Sequence, residues 1–235
     1  MAPADQRQEV FARIREALRY PAPHRHVHHD ATDHPAPDDG LPDSSELRTW
    51  LPAVSSNLDE QIALFTQNAA QLRAEFFQAA TLDEVVAQIT SLARDNSWKR
   101  IATHRHPFTT RLTEKLSLPS LITDPGYSIA ELEACDAAIT GCDALVAQTG
   151  SVMVSVKSAG GRALSVLPPH HIVIAQCSQV VSDLTAAFQL ARKLYAPDWP
   201  SFLSFITGPS RTGDIERILV LGAHGPKRLT IFLVP

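Results

Sequence analysis

The sequence predicts an α/β fold built on a mostly parallel β-sheet that helices cover on both faces. Short apolar runs alternate with helical segments between residues 100 and 140, and repeated strand–helix–strand order implies parallel neighbours. After Gly141, β-rich runs separated by glycines follow one another without intervening helices. That second pattern is typical of antiparallel strands added to a parallel sheet.

The parallel part of the predicted sheet comes from three short apolar runs. They cover residues 100–103, 120–123 and 137–140, and helices over residues 109–116 and 128–134 connect them.

Two longer helices are predicted before these strands. Apolar residues at three- and four-residue spacing predict one helix over residues 57–77. Thr81 and Glu84 match a capping box, which predicts that a second helix begins there and runs to about Asn96.

The region after Gly141 contains the expected antiparallel strands. β-Rich runs cover residues 144–156, 163–166 and 172–175, and Thr149–Gly150 and Gly160–Gly161 interrupt them. A helix over residues 182–194 and two strands over residues 202–207 and 228–234 complete the prediction.

Three segments are predicted along the chain: an N-terminal amphipathic helix (residues 1–19), a linker (residues 20–55) and the α/β domain (residues 56–235). The first part of the linker is rich in proline, histidine and aspartate, so it cannot bury enough surface to offset its ordering entropy. Its histidines could bind zinc or nickel. A mobile tract is not a preformed site, however, and we predict no metal site there. These histidines are His24, His26, His28, His29 and His34.

Composition and charge argue against several classes of function. The chain has 235 residues, 44% of them hydrophobic, and a net charge of −4, whereas a general nucleic-acid binder would usually be basic. No window approaches the roughly 20 apolar residues of a membrane span, and the N-terminus has no signal-peptide core, so we expect a cytoplasmic protein. Cys135, Cys142 and Cys177 are too few for a four-cysteine cluster. We therefore expect no cofactor in this chain.

The densest candidate site is the segment GPSRTGDIE at residues 208–216. It follows an apolar strand and precedes residues 215–219, which have helical character. The backbone N–H groups of such a loop and the start of a helix suit a carboxylate or phosphate, and Arg211 would add a fork of donors. Asp214 and Glu216 are acid–base candidates.

The same segment has a purely structural interpretation. Ser210 or Thr212 would be the N-cap of a helix, and Asp214 would complement the helix dipole. The segment matches neither the G-x-x-x-x-G-K-[ST] loop nor the G-x-G-x-x-G fingerprint of nucleotide-binding proteins.

Three other loops contain groups suited to chemistry. In the loop at residues 222–226, two glycines surround His224, which could carry a proton near neutral pH. The segment 148–151 offers hydroxyl groups at a bend, and Arg162 follows two glycines. For each of these the alternative is a structural turn or a solvated side chain.

These motifs occur in an order that resembles the lactate utilization protein C (LutC) family. The resemblance covers the chain from about Ala134 onward and implies a LUD domain, a three-layer α/β/α fold of the NagB/RpiA/CoA-transferase-like group. The residues that carry it are Thr140–Gly141 with Asp143, Thr149–Gly150–Ser151, Gly161–Arg162, LPPHH at 167–171, GPSRTGDIE at 208–216 and LGAHGP at 221–226.

The resemblance also implies a role in the oxidation of L-lactate to pyruvate beside two iron–sulfur partner subunits, which would hold the clusters. The chain would then be a non-redox subunit that is not active alone, and its ligand would be a small anion such as lactate. The family commonly has an acidic residue before Thr149–Gly150, where this chain has Gln148. If that carboxylate is a base or a cation ligand in the family, this chain lacks it.

Loop type and resemblance together give the predicted site. The predicted catalytic residues are Glu216, Asp214 and His224. The predicted ligand-binding residues are Thr149, Gly150, Ser151, Gly208, Ser210, Arg211 and Thr212.

Two alternatives to the subunit role stay open. The chain could be a stand-alone enzyme or binding protein for a phosphosugar, a CoA ester, a folate or a nucleotide on the same fold. It could also be a scaffold whose N-terminal helix recruits a partner.

Overall fold

The computed structural model describes residues 54–213, 219–222 and 224–235. The predicted N-terminal helix and nearly all of the predicted linker lie outside the described residues. In chain order the elements are α1 (Leu58–Gln71), β1 (Glu75–Gln78), α2 (Leu82–Asp95), β2 (Ile101–Thr103), α3 (Pro107–Lys115), β3 (Ser120–Ile122), α4 (Ile129–Glu133), β4 (Ala137–Thr140), β5 (Ala144–Val146), β6 (Ser151–Ser155), α5 (Val156–Ala159), β7 (His170–Gln176), a 3₁₀ turn (Cys177–Gln179), β8 (Val180–Val181), α6 (Leu184–Tyr195), β9 (Leu203–Ile206), β10 (Arg211–Gly213), β11 (Leu219–Leu221) and β12 (Arg228–Val234).

The main sheet has six strands in the order β1-β12-β7-β4-β2-β3, and every neighbouring pair is parallel. The predicted strands at residues 100–103, 120–123, 137–140 and 228–234 are confirmed to within a residue.

Side chains of the main sheet alternate between two apolar layers. Ile172 and Ile174 of β7 pack with the buried faces of α2 and α3. Val173 and Ala175 point to the other side, where they pack with α1 and with β5 and β6. Burial on both faces explains why the central strands are largely apolar, and the predicted fold class is confirmed.

The antiparallel strands form a sheet of their own rather than extending the parallel one. The run at residues 172–175, which was expected among them, instead belongs to β7 and pairs parallel with β4 and β12. The order of the second sheet is β8-β5-β6-β9, with β6 antiparallel to both β5 and β9. One face packs on the main sheet, and the other packs on α6 through Val146, Met153 and Ala187. Because both faces are covered, the run from 144 to 155 is almost entirely buried.

The helix predicted over residues 57–77 ends earlier, at Gln71, and Glu75–Gln78 is strand β1. The apolar spacing continued by chance across the turn at Arg73, whose φ is 64°. Phe76 contacts Phe65 of α1, with ring centroids 5.1 Å apart. Phe77 stacks on Phe232 at 5.5 Å. The two phenylalanines thus follow the twofold alternation of a strand.

The strand predicted over residues 163–166 is wrong, because the structure has turns there. Gly160 and Gly161 have φ values of 65° and 111°, which reverse the chain. The Ser165 hydroxyl donates to the Arg162 carbonyl at 2.9 Å and closes the turn.

The segment after Gly208 differs from the predicted loop and helix. Arg211–Gly213 is strand β10, which pairs antiparallel with β11, so Leu219 lies in a strand and not at a helix end. Residues 214–218 lie outside the described residues. The anion-binding helix start proposed for this segment therefore has no counterpart in its described part.

Within the described residues, no helix combines the length and the apolar character that a membrane span needs.

Candidate functional site

The two glycine-rich signature loops lie side by side. The Ser210 N–H donates to the Pro226 carbonyl at 2.9 Å, and the Gly222 N–H donates to the Ser210 carbonyl at 3.0 Å. A Cβ on Gly225 would lie 3.1 Å from the Ser210 Cβ. The described residues of the two segments that give the sequence its strongest resemblance thus form a single structural unit.

A cleft of about 520 Å³ opens beside this unit. Four of the predicted site residues line it, namely Gly208, Ser210, Arg211 and His224, and Arg162 joins them. Both arginines are exposed. Among the described residues that line the cleft there is no aspartate or glutamate. The lining is therefore cationic, and guanidinium forks suit a carboxylate or phosphate.

Backbone geometry at Gly208 fixes the start of the first loop. Its φ is 82°, a conformation that favours glycine. A Cβ there would lie 2.8 Å from the Leu72 carbonyl oxygen and 3.4 Å from Arg211 Nη2. This glycine thus lets the loop pass close to the end of α1 and beside the Arg211 guanidinium.

A second cavity, of about 450 Å³, adjoins the cleft. Arg162, Val166, His224 and Gly225 line both, and the second adds Lys227. Three cationic side chains, Arg162, Arg211 and Lys227, therefore lie along one continuous depression.

The hydroxyl-bearing turn at residues 149–151 lies next to the cleft, and none of its three residues lines it. Asn68 of α1 holds this turn by donating to the Ala147 and Gln148 carbonyls at 2.8 and 3.0 Å. Ser151 is buried, and its hydroxyl pairs with that of Thr207 at 2.8 Å. Thr207 itself lines the cleft. Ligand contact by Thr149, Gly150 and Ser151 stays a prediction.

The structure describes one of the three remaining predicted site residues, Thr212. Asp214 and Glu216 lie outside the described residues. Thr212 is in β10, where its backbone is opposite Val220. Their proposed roles stay predictions.

Sequence reasoning missed two kinds of residue. One is Lys227, which lines the second cavity of the cationic depression and had no signal in the sequence. For Arg162 the sequence left ligand contact and solvation open, and its place after Gly161 was the available signal. A buried polar network around Asp143 was missed altogether, although Asp143 lies within one of the motifs. Its partners, Ser158 and Tyr195, are distant in sequence.

Comparisons with known proteins agree with the motifs. The LUD domain family model matches residues 62–234. Lactate utilization protein C of Deinococcus radiodurans is 34% identical over 112 residues, which are 47% of this chain and 52% of that protein. The Bacillus subtilis protein of the same name is 35% identical over 109 residues, 46% of this chain and 45% of that protein. These matches span about half the length of the relatives.

A solved structure shows the same fold. The crystal structure of a DUF162 family protein from Deinococcus radiodurans superimposes with a TM-score of 0.60 at 22% identity, over 77% of this chain and all of that one. With the family match over residues 62–234, the signature loops joined in space and the shared architecture, this chain belongs to the LUD domain family.

Proposed function

We propose that this chain acts in lactate utilization and that its cationic cleft binds the carboxylate of a small hydroxy acid. The names of the relatives support the process. The observation that carries the binding role is the pair of arginines, Arg162 and Arg211, beside Ser210 and His224 in a cleft without a described acidic residue. A guanidinium can hold a carboxylate through two parallel hydrogen bonds. The Ser210 hydroxyl and the His224 imidazole supply partners for the substrate hydroxyl.

The same proposal makes the chain a non-redox subunit that works in the cytoplasm with iron–sulfur partner subunits. Three cysteines cannot supply a four-cysteine cluster. Cys135 and Cys142 are buried, and burial raises the pKa of both thiols, so neither is poised as a thiolate. Electron transfer is accordingly assigned to the partners, and substrate binding to this chain.

A genetic experiment tests the process and the cleft together. A deletion strain carrying the wild-type gene should grow on L-lactate as sole carbon source, whereas strains carrying Arg211→Ala or Arg162→Ala should grow poorly. Arg111→Ala is the matched control, because Arg111 is exposed on α3 and outside the cleft lining. Normal growth of the deletion strain without the gene would contradict a role in lactate utilization. Normal growth of both cleft variants would contradict substrate binding in the cleft.

One observation favours a second candidate function. Three cationic side chains line the depression, which combines adjoining cavities of about 520 and 450 Å³. This is more positive charge and more space than a three-carbon monocarboxylate requires. A phosphorylated ligand, such as a phosphosugar or a CoA ester, would use both features.

Thermal-shift measurements separate the two candidates, since a ligand that binds only the native state raises apparent stability. L-Lactate is compared with ribose 5-phosphate and acetyl-CoA, each with the wild type and Arg211→Ala. A shift with L-lactate that is clearly smaller in Arg211→Ala than in the wild type supports the first function. A shift confined to the phosphorylated compounds supports the second.

A further inference from the structure

A separate cavity of about 370 Å³ lies at the carboxyl edge of the main sheet. Part of its polar lining comes from segments that follow three adjacent parallel strands. His106 follows β2, Asp143 follows β4, and Ser178 and Gln179 follow β7. It shares no lining residue with the cationic cleft.

Sheet topology gives this position significance. From β2 the chain moves outward to β3 at the edge, and the next strand, β4, pairs on the opposite side of β2. The direction of strand addition therefore reverses between β2 and β4. In open α/β sheets, ligands bind outside the carboxyl ends of the strands at such a reversal. His106 and Asp143 flank this point.

Asp143 lies in the cavity wall, is only 8% exposed and is held by hydroxyl groups. The Tyr195 hydroxyl donates to Oδ1 at 2.5 Å, and the Ser158 hydroxyl donates to Oδ2 at 3.0 Å. The Ser155 hydroxyl pairs with that of Tyr195 at 2.9 Å. Each carboxylate oxygen keeps acceptor capacity after these bonds, so Asp143 can accept a further hydrogen bond from a ligand.

The opposite charge comes from Lys157. Its side chain is exposed, and Nζ lies 5.2 Å from the centroid of the Tyr195 ring. Leu190 and Leu194 of α6 supply an apolar wall. The cavity thus combines a buried hydrogen-bond acceptor, an accessible ammonium group and apolar surface.

His106 adds an uncommitted polar group. Its Nδ1 is buried and has no hydrogen-bond partner within the described part of the chain. Burial lowers the pKa of this imidazole, and the charge of Asp143 opposes that shift. The ring is therefore neutral near pH 7 and can accept or donate one hydrogen bond.

We propose that this cavity, hereafter the edge site, binds a small carboxylic acid that carries a hydroxyl or ammonium group next to its carboxylate. The ligand carboxylate pairs with Lys157, and the hydroxyl or ammonium group donates to Asp143. One small ligand can contact both groups, because Asp143 and Lys157 line the same cavity. The edge site is independent of the cationic cleft.

Three isosteric compounds test the chemistry: L-alanine, L-lactate and propionate, which differ only in an ammonium group, a hydroxyl group or a hydrogen. Each is titrated into ¹⁵N-labelled full-length protein, and amide shifts locate binding. We expect L-alanine, L-lactate or both to shift amides at residues 141–143 and 157–158. Propionate should bind more weakly than these compounds by about tenfold or more, since it has no hydrogen-bond donor for Asp143.

Variants test the assigned groups. Lys157→Ala should weaken binding about tenfold or more. Because Lys157 is exposed, the substitution should leave the fold intact. Lys193→Ala on α6 is the matched control, because Lys193 is exposed and outside the edge-site lining. Asp143→Asn should reduce the preference for the donor-bearing compounds over propionate.

Outcomes at the two sites are separable. Shifts confined to residues 208–211 and 222–226 would overturn the edge site and leave the cationic cleft intact. Equal binding of all three compounds, or unchanged binding in Lys157→Ala, would also overturn it. Shifts at residues 141–143 that persist in Arg211→Ala would establish the edge site as separate from the cleft.

Discussion

His170 and His171 illustrate how burial changes the chemistry of a sequence motif. Both are buried at the start of β7 and pair through Nε2 with threonine hydroxyls, Thr230 at 2.7 Å and Thr140 at 2.9 Å. Burial lowers the pKa of His170 to about 4 and that of His171 to about 3. The LPPHH motif thus contributes neutral core histidines rather than surface proton carriers.

These histidines predict a loss of stability in mild acid. The unfolded chain binds protons at the ordinary histidine pKa of about 6.5, whereas the folded chain keeps His171 neutral to much lower pH. Stability from this source is complete above pH 6.5 and is lost as pH falls toward 3. From pH 7 to pH 5, the wild type should lose about 2 kcal/mol of unfolding free energy more than His171→Gln. Urea denaturation at the two pH values measures the difference.

The matched control is His224→Gln, which removes an exposed imidazole and should keep the wild-type pH dependence. If His171→Gln and the wild type lose the same free energy between pH 7 and pH 5, the protonation argument is wrong.

The start of α2 illustrates, at the scale of elements, how local chemistry sets a boundary. The Thr81 hydroxyl accepts from the Glu84 N–H at 3.2 Å, as the capping motif predicts. The Glu84 carboxylate, however, accepts from the Ala80 N–H at 2.9 Å, one residue before the position that a capping box requires. Both bonds satisfy N–H groups near the helix start, and α2 then places Val85, Ile89 and Ala93 in the core.

Removing this cap should weaken the protein more than removing a threonine inside the same helix. Thr81→Ala should lower the free energy of unfolding by about 1 kcal/mol, because the Glu84 N–H loses its partner. Thr90→Ala is the control: its exposed hydroxyl donates to the Val86 carbonyl, and alanine favours helix, so stability should be unchanged or slightly higher. Denaturant titration measures the free energy of unfolding of both variants. Equal changes in this free energy would contradict the capping role of Thr81.

Across the whole molecule, β7 and β12 form the centre of the architecture. They pair with each other over seven residues, and each has a further parallel neighbour, β4 for β7 and β1 for β12. Their side chains contribute to both of the large apolar clusters. The main sheet therefore depends on pairing between strands that are more than 50 residues apart in sequence.

Amide hydrogen exchange should be slower in the central strands of the main sheet than at its edge. Amides within β7 and β12 should exchange most slowly, through global unfolding, because both strands are central and buried. Amides of β3, an edge strand with Ser120 and Ile122 exposed, should exchange faster. Peptide-resolved deuterium uptake measures both, and equal protection of β3 and β7 would argue against a common central unit.

Strands buried on both faces were the most predictable part of the fold. The run Ala137–Thr140 was predicted with its observed limits, because a short apolar run between turn residues has few alternatives. The helix over 57–77 was too long, since its apolar spacing also suits a turn followed by a strand. Within the cleft, Arg211 and His224 were found from loop composition. For Arg162 the sequence left ligand contact and solvation open, and for Lys227, in the adjoining cavity, it offered no signal, because nothing local distinguishes a ligand-facing cation from a solvated one.

The sequence alone determined the fold class, the family resemblance and the loops that form the cationic cleft, because these depend on local periodicity and on short motifs. Three features are visible only in the three-dimensional structure: the second sheet formed by the antiparallel strands, the contact between the loops at 208–211 and 222–226, and the hydrogen bond from Tyr195 to Asp143 at the carboxyl edge. Those facts depend on contacts between distant residues, and residue spacing along the chain does not encode which surfaces will meet.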